Sequence, residues 1–301
     1  MIFDCFTFFN ELDLLELRLE TLSDTVDKFI LVEADRTFTG KPKPLCFQEN
    51  QARFSSYLDR IIHIVVRDMP QSDNPWDREH FQRNAVLRGL GDCRPDDIIL
   101  LSDVDEIPRP EALLRLTSDG RCLSLLARYP VGLSQHMFYY YINVFDREPW
   151  FGTIAIRKKK FNMTPEELRT LRFRLPRLRN GGWHFSYMGG SRQVRQKLNA
   201  IVALDDNTPE NNDLDLLEQK MAQNVNILTH RGSTQFDIVK VEGSYPSPIL
   251  SWLVRHPEYL KREAEKADEV IPPQTDPYLV HILQWRWFLR RLWFNRKMNW
   301  D

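Results

Sequence analysis

Asp97-Ile98-Ile99-Leu100-Leu101-Ser102, followed at once by Asp103-Val104-Asp105-Glu106, is the stretch on which the fold turns. The first six residues form an apolar run of strand length, and the acids begin where that run ends. Side chains alternate in extended backbone, so Asp103 and Asp105 are expected to project to the same side. Two carboxylates converging at a strand's carboxyl end are hard oxygen ligands. Mg2+ and Mn2+ are often held by one or two such groups, with substrate phosphates and water filling the rest of the shell. An isolated acid pair of this spacing is also common as a solvated loop. Here the strand before it, Ser102 and the exit fixed by Pro108 and Pro110 favour the ligand reading.

Upstream, three further β segments alternate with helical periodicity. Ile2 to Phe9 reads as a buried strand, and Leu12, Leu15, Leu19 and Leu22 then recur at helical spacing. Phe29 to Val32 and Ile61 to Val66 read as central parallel strands. Arg78 to Leu90 reads as a helix that stops at Gly89 and Gly91. Four strands joined by crossover-length connections predict an open, doubly wound, Rossmann-like α/β sheet flanked by helices. Ligands in such sheets bind past the carboxyl ends of the strands. That rule places Asn10-Glu11, Glu33-Ala34-Asp35, Arg67-Asp68 and Ser102 to Glu106 on one rim. Glu79, Gln82, Arg83 and Asn84 lie on the preceding helix, where Arg83 is suited to a phosphate or to a rim acid.

Downstream of Pro110, Glu111 to Leu116 reads as a short helix, while Cys122 to Tyr129 and Gln135 to Asn143 read as strands of a mixed extension. Arg169 to Arg179 is basic. Trp183-His184 falls between Gly181-Gly182 and Gly189-Gly190 and reads as a hinge-like loop, with His184 suited to a metal shell or to phosphates and His230 as its competitor. Residues 205 to 215 read as a surface loop. Leu279 to Trp300 reads as a helix dense in Trp and Arg, either closing the core or resting peripherally on anionic lipid. The division expected is a catalytic domain over 1–205 and a mainly helical extension over 206–301.

With 301 residues and 42% hydrophobic content the chain can bury a sizeable core. Lys plus Arg is 41 and Asp plus Glu is 42, so bulk charge gives no support to a nucleic-acid partner. Cys5, Cys46, Cys93 and Cys122 are scattered without metal-ligand spacing and fit reduced thiols. The first residues lack a signal-peptide pattern and no apolar run reaches the ~18 residues of a membrane span. The expectation is a cytoplasmic chain, possible contact with a membrane's inner face included, or a catalytic domain cut from a longer anchored protein.

Three long stretches, Asp4 to Leu19, Val26 to Phe29 and Val32 to Leu45, resemble glycosyltransferase family 17. The resemblance continues through Gln82-Arg83-Asn84, Ser102 to Pro108 and Gly181 to Tyr187, covering about the first 200 residues. It implies a GT-A type fold, a UDP-N-acetylglucosamine donor, Mn2+ or Mg2+, and transfer with inversion to a β-1,4 linkage on a glycan acceptor. By position, Asp103 and Asp105 resemble the metal and diphosphate motif. Asn10, Glu11, Glu33, Arg83 and Asn84 fall in stretches that line the donor site, and His184 falls in the catalytic pocket. Inversion needs a carboxylate to take the acceptor proton. Glu106, Glu111, Asp205 and Asp206 are the candidates, unordered, although Glu111 also suits a helix N-terminus. Asp105→Ala is expected to abolish transfer with the fold intact. A metal-dependent phosphohydrolase and a carbohydrate-binding protein are the rival readings. The first lacks a G-x-x-x-x-G-K phosphate loop, and the second would rest on Trp and Tyr stacking. Oligomeric state is left open.

Overall fold

The computed structural model describes residues 1–200, 206–228, 235–262, 269–272, 274 and, as backbone, 278–279. The chain runs β1 (Ile2–Phe8), α1 (Leu12–Leu22), β2 (Lys28–Ala34), α2 (Cys46–Glu49), β3 (Ile61–Val66), α3 (Pro75–Asn84), β4 (Ile98–Asp103) and β5 (Glu106–Pro108). It continues with α4 (Pro110–Ser118), α5 (Gly120–Leu126), β6 (Val131–Tyr139), β7 (Val144–Arg157), α6 (Pro165–Thr170), β8 (Arg177–Ser186) and α7 (Gly190–Ala200). The remaining elements are α8 (Pro209–Asn212), α9 (Leu214–Ala222), β9 (Asp237–Ile238), α10 (Ser247–Arg255) and β10 (Tyr278–Leu279).

The near-continuous apolar runs become the parallel half of the sheet, ordered β3-β2-β1-β4, with Phe3 set against Lys28 on one side and Ile99 on the other. β7 joins antiparallel to β4, β6 antiparallel to β7, and β8 parallel to β6. β5 follows β4 after a two-residue turn and pairs with β8. β4 and its immediate continuation therefore touch both β7 and β8, which curls the mixed sheet. This open sheet with flanking helices agrees with the GT-A type architecture expected from the sequence. Alternation sorts the core: Phe6 and Phe8 pack with Leu15 and Leu19 of α1, while Phe3 and Cys5 face Val86 and Leu90. Each such buried aliphatic or aromatic side chain contributes about 1.5–3 kcal/mol of transfer free energy. Ile249, Trp252 and Leu253 of α10 enter the same core as β1 and α1.

Four local expectations are corrected. Residues 122–129 do not form a strand. Asp119 accepts hydrogen bonds from the N–H groups of Arg121 and Cys122 and starts α5, which buries Cys122 and Leu126 one turn apart. The helix expected over 78–90 begins earlier, at Pro75 behind the Asn74 cap, and tightens to a 3-10 turn over 85–89. Within 205–215, where a loop was expected, residues 209–212 are helical and a second helix starts at 214, because Thr208 and Asp213 cap them. Trp183-His184 lies in β8, not in a hinge. A Cβ on Gly182 would come 2.1 Å from the Ile107 carbonyl oxygen, so this glycine allows strand contact where a loop-forming role was expected.

Among the described residues no helix is long and apolar enough to cross a membrane. The Trp- and Arg-rich segment after Leu279, with Asp205 and His230, lies outside the described residues.

Candidate active site

The acidic turn between β4 and β5 is set from beneath by one side chain. Arg18 of α1 is fully buried and forks onto Asp4 at 2.6 and 2.7 Å. The same guanidinium donates to Ser102 Oγ at 2.6 Å and to the carbonyls of Asp103, Val104 and Glu106 at 3.0, 3.1 and 2.9 Å. The backbone turns at Val104-Asp105, so strand alternation does not carry through to Asp105. The two aspartates instead meet different partners, although the Asp105 charge is still felt at Asp103.

Asp103, with 30% of its side chain exposed, accepts from Thr7 Oγ1 at 2.9 Å and pairs with Arg169 at 2.9 Å and Arg83 at 3.4 Å. Burial alone would raise its pKa; Arg169 and then Arg83 outweigh that and hold it well below the usual carboxylate range. Asp105 is buried, with Lys197 Nζ at 2.6 Å and His184 Nε2 at 3.5 Å. Burial again opposes ionisation, and Lys197 followed by His184 hold the Asp105 pKa well below its ordinary value. Lys197 reaches in from half-exposed α7 and also faces Glu11 at 3.4 Å. Its ammonium is held charged, the carboxylates overcoming the cost of burial.

Glu106 is deeply buried and accepts four hydrogen bonds: from Arg169 to each oxygen at 2.6 and 2.8 Å, from Trp150 Nε1 at 2.6 Å and from the Asp103 N–H at 2.9 Å. A carboxylate offers about four acceptor positions, so this group is saturated. Gly152 makes room for it. A Cβ there would fall 2.2 Å from Glu106 Cδ and 2.5 Å from Trp150 Nε1. Gly152→Ala is accordingly expected to destabilise the protein by about 1–3 kcal/mol through overpacking. Thermal unfolding checks this, and an unchanged midpoint would contradict the packing around Glu106.

The other expected residues divide. Arg83 pairs with Glu79 at 2.6 Å and, more closely still, with Glu166, whose N–H is accepted by Asn84 Oδ1 at 3.0 Å. Arg83 thus joins the acidic cluster, while Asn84 fastens α3 to α6. Asn10 donates to Gln193 and Gln196 of α7, and Glu11 accepts from the N–H groups of Phe9 and Asn10. Glu33 lies on the rim, engaged with the Phe47 N–H at 2.7 Å and His63 Nε2 at 3.0 Å. Glu111 is exposed on the first turn of α4. Asp206 is buried. The His184 ring lies tilted against that of Trp150 with centroids 4.6 Å apart, and its Nδ1 is buried without a hydrogen-bond partner. Sequence reasoning missed Arg169, Lys197, Trp150 and Thr7. Arg169 opens the basic stretch that was noticed, whereas nothing in the local pattern of α7 marks Lys197.

On α7, the helix that sends Lys197 to Asp105, Arg195 lines a cleft of about 420 Å³ together with Phe9, Asn10, Lys41, Lys43 and Cys46. Its cations suit an anionic ligand, at the carboxyl ends of β1 and β2 where α/β sheets bind ligands. Among the described residues no three of His, Cys, Asp and Glu gather around one point as a metal cage. What the turn offers is two carboxylates held ionised. That donor set fits a hard divalent cation which draws its remaining ligands from a diphosphate and water.

The model of glycosyltransferase family 17 matches residues 1–245, well over half of the chain. The chain belongs to glycosyltransferase family 17. The match extends past the first 200 residues, which the resemblance read from the sequence covers, and so takes in the α8–α9 pair as well as α7 with Lys197. Among relatives, the human beta-1,4-mannosyl-glycoprotein 4-beta-N-acetylglucosaminyltransferase is 30% identical over 115 residues, 36% of this chain and 22% of the human protein. The rat protein of that name is also 30% identical over 115 residues, 36% of this chain and 21% of its own length. The family 17 chain thus aligns with little more than a fifth of each of these relatives.

Proposed function

We propose that this family 17 chain transfers N-acetylglucosamine from UDP-N-acetylglucosamine, with inversion, to a hydroxyl of a glycan acceptor, forming a β-1,4 linkage. The observation that carries the reading is the ionised pair Asp103 and Asp105 on the β4–β5 turn, with a cation-lined cleft past the carboxyl ends of β1 and β2 of the same sheet, in a chain of this family. The relatives' names supply the sugar.

In this reading Asp103 and Asp105 hold Mn2+ or Mg2+ together with the donor diphosphate. The ion, when bound, neutralises charge on the departing nucleotide. The chain's own residues do the rest by positioning and electrostatics. Lys41, Lys43 and Arg195 attract the anionic nucleotide to the cleft, and Phe9 gives it an apolar wall. Burial lowers the Lys43 pKa while nearby acids, Glu33 first, oppose the shift. Arg169 and Arg83 keep Asp103 charged, and Lys197 does the same for Asp105 until the donor arrives. In the same reading His184 meets the sugar or the diphosphate, a role supported by its buried Nδ1 without a hydrogen-bond partner. Glu106 positions the turn and leaves no acceptor site for an incoming proton, so it is not the base in this mechanism.

The test is to incubate the purified chain with a panel of UDP-sugars, with and without Mn2+, and to follow UDP release against a mixed glycan library. UDP-N-acetylglucosamine turnover coupled to glycan elongation is the expected result. UDP release without any glycan product would favour hydrolysis, and metal-independent glycan binding without donor turnover would favour a carbohydrate-binding role. Either would overturn the proposal.

A further inference from the structure

The register of β6 against β8 sets Met137 beside His184 and His136 beside Trp183. Because side chains alternate along a strand, His136 faces away from the side on which His184 meets the acidic turn. On that other side lies a second cleft, of about 430 Å³, within the range of small-molecule sites. Ser134, His136, Phe145, Phe151, Arg177 and Arg179 line it.

Arg18, Arg53, Arg83, Arg88, Arg147, Arg169 and Arg255 each meet a carboxylate. Arg177 and Arg179 do not, among the described residues. Arg177 lies 3.7 Å over the Phe151 ring, donates to the Phe173 carbonyl, and buries an Nε that has no partner. Burial, and then the neighbouring charge of Arg179, depress the Arg177 pKa. Burial and then Arg109 push His136 down to about 4, so at neutral pH the imidazole adds no charge. Arg109 itself rests on the Trp183 ring at 4.5 Å with a buried, unpartnered Nε. Asp146 and Glu148 also border the cleft, but neither forms an ion pair with Arg177 or Arg179.

We propose that this cleft is a binding site for a sugar-sized ligand bearing a phosphate or carboxylate group. Two guanidiniums two residues apart on one strand repel each other until an oxyanion bridges them, and their fork geometry matches such a group bidentately. Phe145, Phe151 and Pro149 supply the apolar wall against which a sugar ring packs. The site is independent of the donor cleft and of the reaction assigned to it.

Isothermal titration with glucose 6-phosphate, glucuronate and neutral glucose tests the proposal. Both anions are expected to bind and glucose is not. Arg179→Ala, at a half-exposed position, is expected to weaken anion binding by about tenfold or more. Arg179→Gln, which keeps the side-chain length, is expected to do the same, with the melting temperature of both variants unchanged. Lys43→Ala, on the donor-side rim, is expected to leave this binding intact. No heat with either anion, wild-type affinity in both Arg179 variants, or loss of binding in Lys43→Ala would each overturn it.

Discussion

Replacing Arg169 by methionine is expected to destabilise the protein by about 3–5 kcal/mol, the scale on which one member of a buried ion pair is removed. Arg169 is 4% exposed and joins Asp103 to Glu106, donating also to the Gly152 carbonyl. Without it Glu106 keeps only the Trp150 and Asp103 N–H donors in a buried position, and Asp103 loses the stronger of its two cations. Urea titration at constant slope measures the loss. Adding Glu106→Gln to Arg169→Met is expected to recover part of it, because the stranded charge is gone, so the two effects are non-additive. A single variant within about 0.5 kcal/mol of wild type, the range of an ordinary surface change, would contradict the buried network.

The second large effect is on turnover. Asp105→Asn is expected to lower kcat by about 100-fold or more, the scale of removing one preorganised electrostatic contact. From the sequence alone, Asp105→Ala looks like a clean test that spares the fold. The structure changes that expectation, since Lys197 Nζ sits 2.6 Å from Asp105 and would lose its main partner. A loss of about 1–3 kcal/mol is expected to accompany the loss of activity. The double variant Asp105→Asn/Lys197→Met separates the two, with stability expected to return and transfer expected to stay low. Near-normal initial rates in Asp105→Asn would remove the residue from the mechanism.

The parallel half of the sheet was legible because β1, β2 and β4 are buried on both faces and read as apolar runs bounded by polar turns, whereas β3, expected to be central, is the half-buried edge strand. The acidic turn was legible from its place after β4. The errors share a cause. Cys122 to Tyr129 is rich enough in leucine to pass for a strand, and only the Asp119 cap decides otherwise. The glycines around Trp183 look like a hinge until β5 and β6 are seen pressed against β8. Arg169 and Lys197 lie 66 and 92 residues along the chain from the aspartates they neutralise. No local period carries that information; it comes from α6 and α7 folding back over the rim.

Arg18 has a consequence for how a ligand is received. One guanidinium, locked by Asp4 and Ser102, grips three carbonyls of the acidic turn from inside the protein. The turn's backbone is thereby already in its working shape before anything docks, and association need not spend entropy on ordering it. Free and donor-bound forms should superimpose there while differing at Lys197. Evolution of new sugar preferences in this scaffold should leave position 18 alone and work through the cleft walls.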